Sequence, residues 1–276
     1  MAWWKPAWST SEFGWLLYLV PLVGVTLAFP QLLSRIWKTT PLPHGELRNQ
    51  LEALTRRAGV RTRDFRVWQT NRQLLNAAVT GLLPSLRYVF LTDGLLALLR
   101  AEETQAVVAH ELGHVRRRHL WLRLLLLAWP IWILGNIQAF LPEISDLCSR
   151  WISQGCGDPL IANAVVIPAL TILYSVIALG KYSRLLEHDA DLQVYATGNA
   201  EVFCMTLDRL SYLTNDRRQR GSWLHPSTAS RVHLLQQALR DRSTADRFRR
   251  RVDYINSALI AAWLLPPIVL ILACQS

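Results

Sequence analysis

The apolar residues of this chain are gathered into four blocks, separated from one another by polar stretches. A helix needs about 20 consecutive apolar residues to cross a lipid bilayer. Apolar residues make up 51% of the chain and the mean hydropathy is +0.16, both high values for a soluble protein. The pattern therefore predicts a membrane protein with about four transmembrane helices, at about residues Gly14–Leu33, Leu120–Leu141, Leu160–Gly180 and Ile255–Cys274.

Positive charge is concentrated in two of the polar stretches. The chain has 30 Lys and Arg residues, and 27 of them lie within residues 35–119 and 181–254. Four spans place these two segments on the same side of the membrane, and the positive-inside rule makes that side the cytoplasm. We therefore expect an integral protein of a bacterial inner membrane, and we expect the first block to be a retained span because no signal-cleavage site follows it.

This topology predicts five regions along the chain. Residues 1–34 and 255–276 are single transmembrane helices, and residues 120–180 form a transmembrane hairpin. The cytosolic residues 35–119 and 181–254 carry the polar motifs. In the second span, Arg123 lies within one turn of the start, where its guanidinium can reach the lipid headgroups.

The first cytosolic segment is predicted to be a small α+β unit. Residues His44–Gly59 place Leu47, Leu51 and Leu54 on one helical face. A further helix begins near Glu102 and is expected to continue without a break into the second span, because no proline interrupts it before Pro130. Three short stretches favour strands and predict a small β-sheet: Phe65–Gln69, Leu74–Thr80 and Arg87–Thr92.

Candidate metal-binding and catalytic residues lie in that last helix, in the motif His110-Glu111-Leu112-Gly113-His114. Residues four apart share a helix face, so His110 and His114 can direct two imidazoles at one cation. Glu111 lies beside them and is placed to accept a proton from the attacking water. Imidazole nitrogens suit zinc, which predicts a catalytic Zn²⁺ site.

A catalytic zinc site needs a third protein ligand. His119 follows the pair at the wrong spacing for proteases with a third histidine, which excludes that class. The alternative is a glutamate on a distant helix, and Glu187 supplies one, with Asp191 on the same helix face to orient a ligand histidine through a hydrogen bond. The neighbouring His188 and Asp189 are expected to lie on a solvated polar face.

Five motifs resemble the HtpX / CAAX-prenyl-protease family of integral-membrane zinc metalloproteases, which have a gluzincin-type HExxH…ExxxD site. They occur in that family's order and together span about residues 65 to 235. The motifs are NAAVTG (Asn76–Gly81), VFLTDGLLALL (Val89–Leu99), AEETQAVVAHELGHVRRRH (Ala101–His119), LLEHDAD (Leu185–Asp191) and HPSTASRV (His225–Val232).

The resemblance implies specific roles. His110, His114 and Glu187 would bind zinc, and Glu111 would be the general base. Asn76 and Ala77 would lie on an edge strand that pairs with an extended substrate backbone. His225 would lie near the zinc, as an oxyanion donor or a gate, and Arg231 would lie close to the helix that carries Glu187 and Asp191.

These observations predict a membrane-embedded zinc endopeptidase that cleaves membrane-associated or unfolded proteins at the cytoplasmic face. Two alternatives remain: a regulatory sensor-type membrane metalloprotease, and a non-catalytic zinc-containing membrane adaptor. The arginine clusters beside predicted spans favour contact with anionic lipids over nucleic acid. The identity of the protein substrate and the oligomeric state stay open.

The four cysteines are too few and too scattered to predict a disulfide scaffold or a cysteine zinc site. Cys148 and Cys156 fall in the predicted outer hairpin. A disulfide between them is chemically allowed there, and two unpaired thiols are the equally supported alternative.

Overall fold

The computed structural model describes residues 16–135, 150, 167–197, 199–213 and 220–273. Contacts divide the chain into two units, Met1–Leu112 and Gly113–Ser276. The predicted hairpin with Cys148 and Cys156 lies outside the described residues, as do parts of all four predicted spans.

The described part of unit 1 combines helices with a small mixed sheet. The strand order is β1-β2-β4-β3, with β2 and β4 parallel and the other two pairs antiparallel. The elements are α1 (Leu16–Ile36), β1 (Thr39–Pro41), α2 (Glu46–Arg57), β2 (Asp64–Trp68), β3 (Ala77–Thr80), β4 (Tyr88–Thr92), α3 (Asp93–Leu98) and α4 (Ala101–Arg116), the last of which extends into unit 2.

Hydrophobic spacing explains most of this unit. All five residues of β4 are buried, as expected for a strand with neighbours on both sides. In β2 burial alternates, with Phe65 and Val67 inside. Helix α2 buries Leu51 and Leu54, two of the leucines whose spacing predicted it. The three predicted strands are present, with bounds that differ by up to three residues.

Strand β1 was not predicted. It has only three residues, Thr39-Thr40-Pro41, and shows no alternation of apolar and polar side chains. It is held by antiparallel backbone pairing with β2, from Thr39 opposite Trp68 to Pro41 opposite Arg66. Because proline lacks a backbone N–H, its place at an edge of the sheet is the one that strand geometry allows.

The loop before β3 is fixed by one carboxylate. Asp93 Oδ1 accepts hydrogen bonds from the backbone N (3.0 Å) and Oγ1 (2.5 Å) of Thr70, and Oδ2 accepts from the backbone N of Arg72 at 3.0 Å. Thr92 adds bonds to the backbone of Asn76. These contacts explain why β3 begins at Ala77 and not at Leu74, since the preceding residues are held as a loop against the start of α3.

The same contacts predict a pH-dependent loss of stability in Asp93→Asn. The hydrogen bonds, led by the one from Thr70 Oγ1, lower the pKa of Asp93 to about 2. A carboxylate with a lowered folded-state pKa adds stability above its unfolded pKa of about 4 and loses it as the pH falls toward 2. We expect the gap in melting temperature between wild type and variant to be largest near pH 6–7 and to narrow below pH 4. A gap that is constant with pH would contradict this role for the charge.

Unit 2 contains only helices among its described residues. After the end of α4 come α5 (His119–Gly135), α6 (Ile167–Ala196), α7 (Ala200–Leu213), α8 (Thr228–Arg240) and α9 (Arg242–Ala273). One buried cluster joins α5, α6 and α9 through Leu122, Tyr182, Leu186 and Val252. A hydrogen bond from Tyr182 Oη to Asn256 Oδ1 (2.7 Å) adds to this packing.

The prediction of one unbroken helix through the histidine motif into the second span is wrong. Helix α4 ends at Arg116, and α5 begins at His119 after a short turn. Arg118 has a φ of 57°, in the left-handed region that ends a run of α-helix. The turn has a consequence for His119, because that residue starts a new helix and no longer follows the spacing of α4.

Among the described residues, one helix is long and apolar enough to cross a membrane, Pro168–Ala196, judged by length and composition alone. Its first turns expose large apolar side chains, among them Leu170, Ile172 and Leu173. The arrangement of four spans, the five regions and their sidedness stay predictions.

Candidate metal centre

Helix α4 carries both histidines of the motif, and α6 packs closely against its end. At Gly113, a Cβ atom would lie 3.0 Å from Cβ of Gln193 and 3.1 Å from the carbonyl oxygen of Ala190. Such distances are tighter than ordinary van der Waals contact. The glycine between the two motif histidines therefore permits a close approach of α6, which is the helix that carries Glu187.

The structure brings His110, His114 and Glu187 together. Each offers one ligand atom, and these atoms all lie within 4.8 Å of one another. Nε2 of His114 lies 3.3 Å from Oε1 of Glu187. Two ligands about 2.0–2.2 Å from a shared tetrahedral ion are about 3.3–3.6 Å apart. Both the donor types and this spacing fit a zinc ion.

Glu187 is nearly buried, with 4% of its side chain exposed, and two more basic groups reach it. Arg123 Nη2 lies 3.2 Å from Oε1, and His225 Nδ1 lies 3.1 Å from Oε2. The guanidinium of Arg123 was expected to extend toward lipid headgroups, and it contacts this carboxylate instead. His225 is 60% exposed, so its ring lies between the carboxylate and solvent.

A second buried acid lies two residues further along α6. Asp189 was expected on a solvated polar face, and this prediction is wrong, because its side chain is 0% exposed. Its Oδ2 accepts from Nε of Arg117 at 2.7 Å and lies 3.0 Å from Nε2 of His119. Arg117 also pairs with Asp253 on α9. A buried carboxylate requires such partners, and both come from the turn between α4 and α5.

His119 links this acid to the metal group. Its side chain is fully buried, with Nδ1 2.8 Å from Nδ1 of His114 and Nε2 directed at Asp189. Burial lowers the pKa of His119, although the Asp189 carboxylate opposes the shift. The spacing argument set His119 aside as a third ligand and did not predict its contact with a ligand histidine. The only signal in the sequence was a third histidine shortly after the pair.

Asp191 lies one turn beyond Glu187 and forms a paired contact with Arg231. Its two oxygens accept from Nε and Nη2 of Arg231 at 2.9 and 2.6 Å. Helix α8 presents Arg231 one turn after its start, where Ser227 Oγ accepts from the backbone N of Ser230. The structure thus brings Arg231 to the Glu187/Asp191 helix. A hydrogen bond from a ligand histidine to the carboxylate of Asp191 stays a prediction.

The remaining predicted residues lie in unit 1. Ala77 is the first residue of β3, at an edge of the described sheet, and Asn76 immediately precedes it. The backbone N–H of Asn76 donates to Thr92 Oγ1 at 3.0 Å, and its carbonyl accepts from the backbone N of Thr92 at 3.1 Å. These bonds fix where the edge strand begins. Glu111 follows His110 on α4 and is partly exposed.

Two histidines one turn apart and a glutamate from a second helix form the donor set of zinc metalloproteases of the thermolysin type. The mostly helical fold with its small mixed sheet and this group together define a candidate metalloprotease.

Comparison with known proteins confirms the resemblance drawn from the motifs. Residues 41–239 match the model of peptidase family M48, and the chain belongs to that metalloprotease family. A protease HtpX homolog of Aeropyrum pernix is 30% identical over 184 residues, which are 64% of this chain and 55% of that protein. Protease HtpX of Shewanella pealeana is 26% identical over 219 residues, 73% of this chain and 75% of that protein.

Similarity extends to a further relative and to a solved structure. CAAX prenyl protease 1 of Saccharomyces cerevisiae is 29% identical over 116 residues, 40% of this chain and 26% of that protein. The crystal structure of S. mikatae Ste24p superimposes with a TM-score of 0.55 at 22% identity, covering 79% of this chain and 55% of that one. The likeness to Ste24p establishes a shared fold.

Proposed function

We propose that this protein is a membrane-embedded zinc endopeptidase that cleaves membrane-associated or unfolded proteins at the cytoplasmic face. The observation that carries the proposal is the convergence of His110, His114 and Glu187 in a chain of peptidase family M48. A purely structural zinc site would not need the carboxylate of Glu111 beside its ligands, which favours an enzyme over a non-catalytic adaptor.

The proposed cofactor is Zn²⁺, held by the two imidazoles and the Glu187 carboxylate. When bound, such an ion supplies Lewis acidity, which polarises a carbonyl and brings the pKa of a coordinated water to about 7. The near burial of Glu187 supports this role, because a carboxylate away from solvent needs hydrogen-bonding or charged partners. Arg123 and His225 supply two of them in this structure.

Glu111 is the proposed general base. It follows His110 on the same helix and is not part of the group of three residues that could hold the ion, which supports a role in proton transfer over one in metal binding. In this role Glu111 accepts a proton from the attacking water and delivers it to the leaving amine as the peptide bond breaks.

His225 is the proposed oxyanion donor or gate. Its ring reaches Glu187 from a largely exposed position, so it can withdraw or turn without unpacking the core. As a donor, His225 would hydrogen-bond the negative charge that develops on the scissile carbonyl oxygen. Arg231 is proposed to hold the Glu187 helix in place through its paired contact with Asp191.

The proposed route for substrate recognition is strand addition at β3. An edge strand offers unpaired backbone groups to an extended peptide, which gains main-chain hydrogen bonds whatever its side chains. Ala77 is the first residue of that strand and Asn76 immediately precedes it. Recognition through backbone groups suits a protease whose substrates share an extended or unfolded conformation.

The membrane location is proposed from the four apolar blocks and from the distribution of positive charge. Of 30 Lys and Arg residues, 27 lie in the two segments that carry the motifs, which supports a cytoplasmic active site beside anionic lipid.

The test of this function is metal-dependent proteolysis by the full chain in detergent. We expect cleavage of casein to stop after treatment with o-phenanthroline and to return when zinc is added, because the ion is required for the reaction. The non-chelating isomer m-phenanthroline is the matched control and should leave cleavage unchanged. Cleavage that survives removal of the metal would contradict the proposal.

A further inference from the structure

A continuous set of hydrogen bonds leads from the proposed metal ligand His114 through His119 and Asp189 to Arg117. Nδ1 of His114 meets Nδ1 of His119 at 2.8 Å, and Nε2 of His119 meets Oδ2 of Asp189 at 3.0 Å. The same oxygen accepts from Nε of Arg117 at 2.7 Å. His119 and Asp189 are both fully buried, so solvent does not compete for the bond between them.

The positions of the protons follow from the nitrogen that each ring directs at its neighbour. Nε2 of His114 is turned toward Glu187, at 3.3 Å, and a nitrogen that binds a cation carries no proton. The proton of neutral His114 then lies on Nδ1, which donates to His119. Since Nδ1 of His119 must accept, its own proton lies on Nε2 and is donated to Asp189.

We propose that His119 and Asp189 are positioning residues that hold His114 in the ring orientation and tautomer needed to bind the metal. This proposal rests on the proposed zinc site and deepens it. A ligand histidine commonly donates its second N–H to a carboxylate or carbonyl, which fixes the ring and raises its basicity. Here a second histidine stands between the ligand and the carboxylate, and Arg117 holds that carboxylate from the other side.

The turn between α4 and α5 makes this arrangement possible. On an unbroken helix, a residue five positions after His114 would lie well around the helix from it. The left-handed conformation of Arg118 ends α4 and starts α5 at His119, whose ring then meets the ring of His114. The turn also supplies Arg117, so two residues at the break, Arg117 and His119, contact the same buried carboxylate.

The experiment measures the zinc affinity of the full chain in detergent by competition with a chelator. His119→Leu removes the acceptor and is expected to weaken zinc binding by about 10- to 100-fold. His119→Asn keeps an oxygen that can accept from His114 and should restore most of that loss. Tyr182→Phe is the matched control, because it removes a different buried hydrogen bond on α6 and should lower the melting temperature without changing the zinc Kd.

A second measurement does not depend on any variant that could fail to fold. In zinc-loaded wild type with ¹⁵N-labelled histidine, we expect a nitrogen–nitrogen coupling across the bond between His114 and His119, with His119 protonated on Nε2. A His119 protonated on Nδ1, or an unchanged zinc Kd in folded His119→Leu, would overturn the proposal. Failure of wild type to bind zinc would instead overturn the proposed function.

Discussion

Substitution of Glu111 by Gln is expected to lower the rate of casein cleavage by a factor of about 10² to 10⁴, which is the usual contribution of a general base. Glutamine has nearly the same shape as glutamate but cannot accept the proton of the attacking water. Glu111 is not one of the three residues whose ligand atoms converge. The variant should therefore retain zinc and the melting temperature of the wild type. The lower cleavage rate would then reflect a slower chemical step and not a loss of metal or of folding.

The matched control for this variant is Glu102→Gln, the same chemical change at an exposed position in the first turn of the same helix. It should cleave casein at the wild-type rate. Equal cleavage by wild type and Glu111→Gln would remove Glu111 from the mechanism. Loss of zinc from Glu111→Gln would show that its carboxylate supports the metal rather than the proton transfer.

Substitution of Glu187 by Ala is expected to reduce bound zinc from about one ion per chain to close to none, because a catalytic site with three protein ligands would lose one of them. The carboxylate is nearly buried and is contacted by His114, Arg123 and His225. Its removal brings these basic groups together without their shared negative partner. Metal analysis of the purified full chain measures the effect, and proteolysis should be lost with the zinc.

Glu201→Ala is the control for the loss of a glutamate, since Glu201 is exposed in the first turn of α7. It should keep both zinc and activity. If Glu187→Ala were folded and still held one zinc ion per chain, the third ligand would have to be a different residue. The convergence of the two helices would then serve another purpose.

Much of the sheet and its flanking helices could be predicted because local patterns specify them. Short strand-like stretches separated by turn-prone residues predicted β2 and β4, and leucine spacing predicted α2. Strand β1 could not be predicted, because Thr39–Pro41 is held by pairing with β2 and has no pattern of its own. The break after Arg116 could not be predicted either, because no glycine or proline marks it in the sequence. Arg118 instead adopts the left-handed conformation without such a residue type.

The ligand set could be proposed from the sequence because two histidines four apart and a glutamate in a separate acidic motif are local features. The contacts of His114 and Glu187 with the side chains around them could not be predicted from the sequence. Aspartate is usually a surface residue, so nothing in the sequence indicated that Asp189 would be buried. Its burial depends on Arg117 and His119, about 70 residues earlier in the chain. Arg123 likewise lay within an apolar block, and only the packing of α5 on α6 brings it to Glu187.

The glycine at position 113 has a consequence for how the ion enters. Because Gly113 carries no Cβ atom, α6 approaches α4 more closely here than a side chain at this position would allow, and this packing helps to set the spacing between the two helices that carry the donor atoms. The donor atoms are then preorganised by folding, and little ordering remains for the moment of metal uptake. Zinc fingers are the opposite case, since they fold only when the metal arrives. In this protein, removal of the ion should leave the fold intact, with a preformed site that can bind metal again.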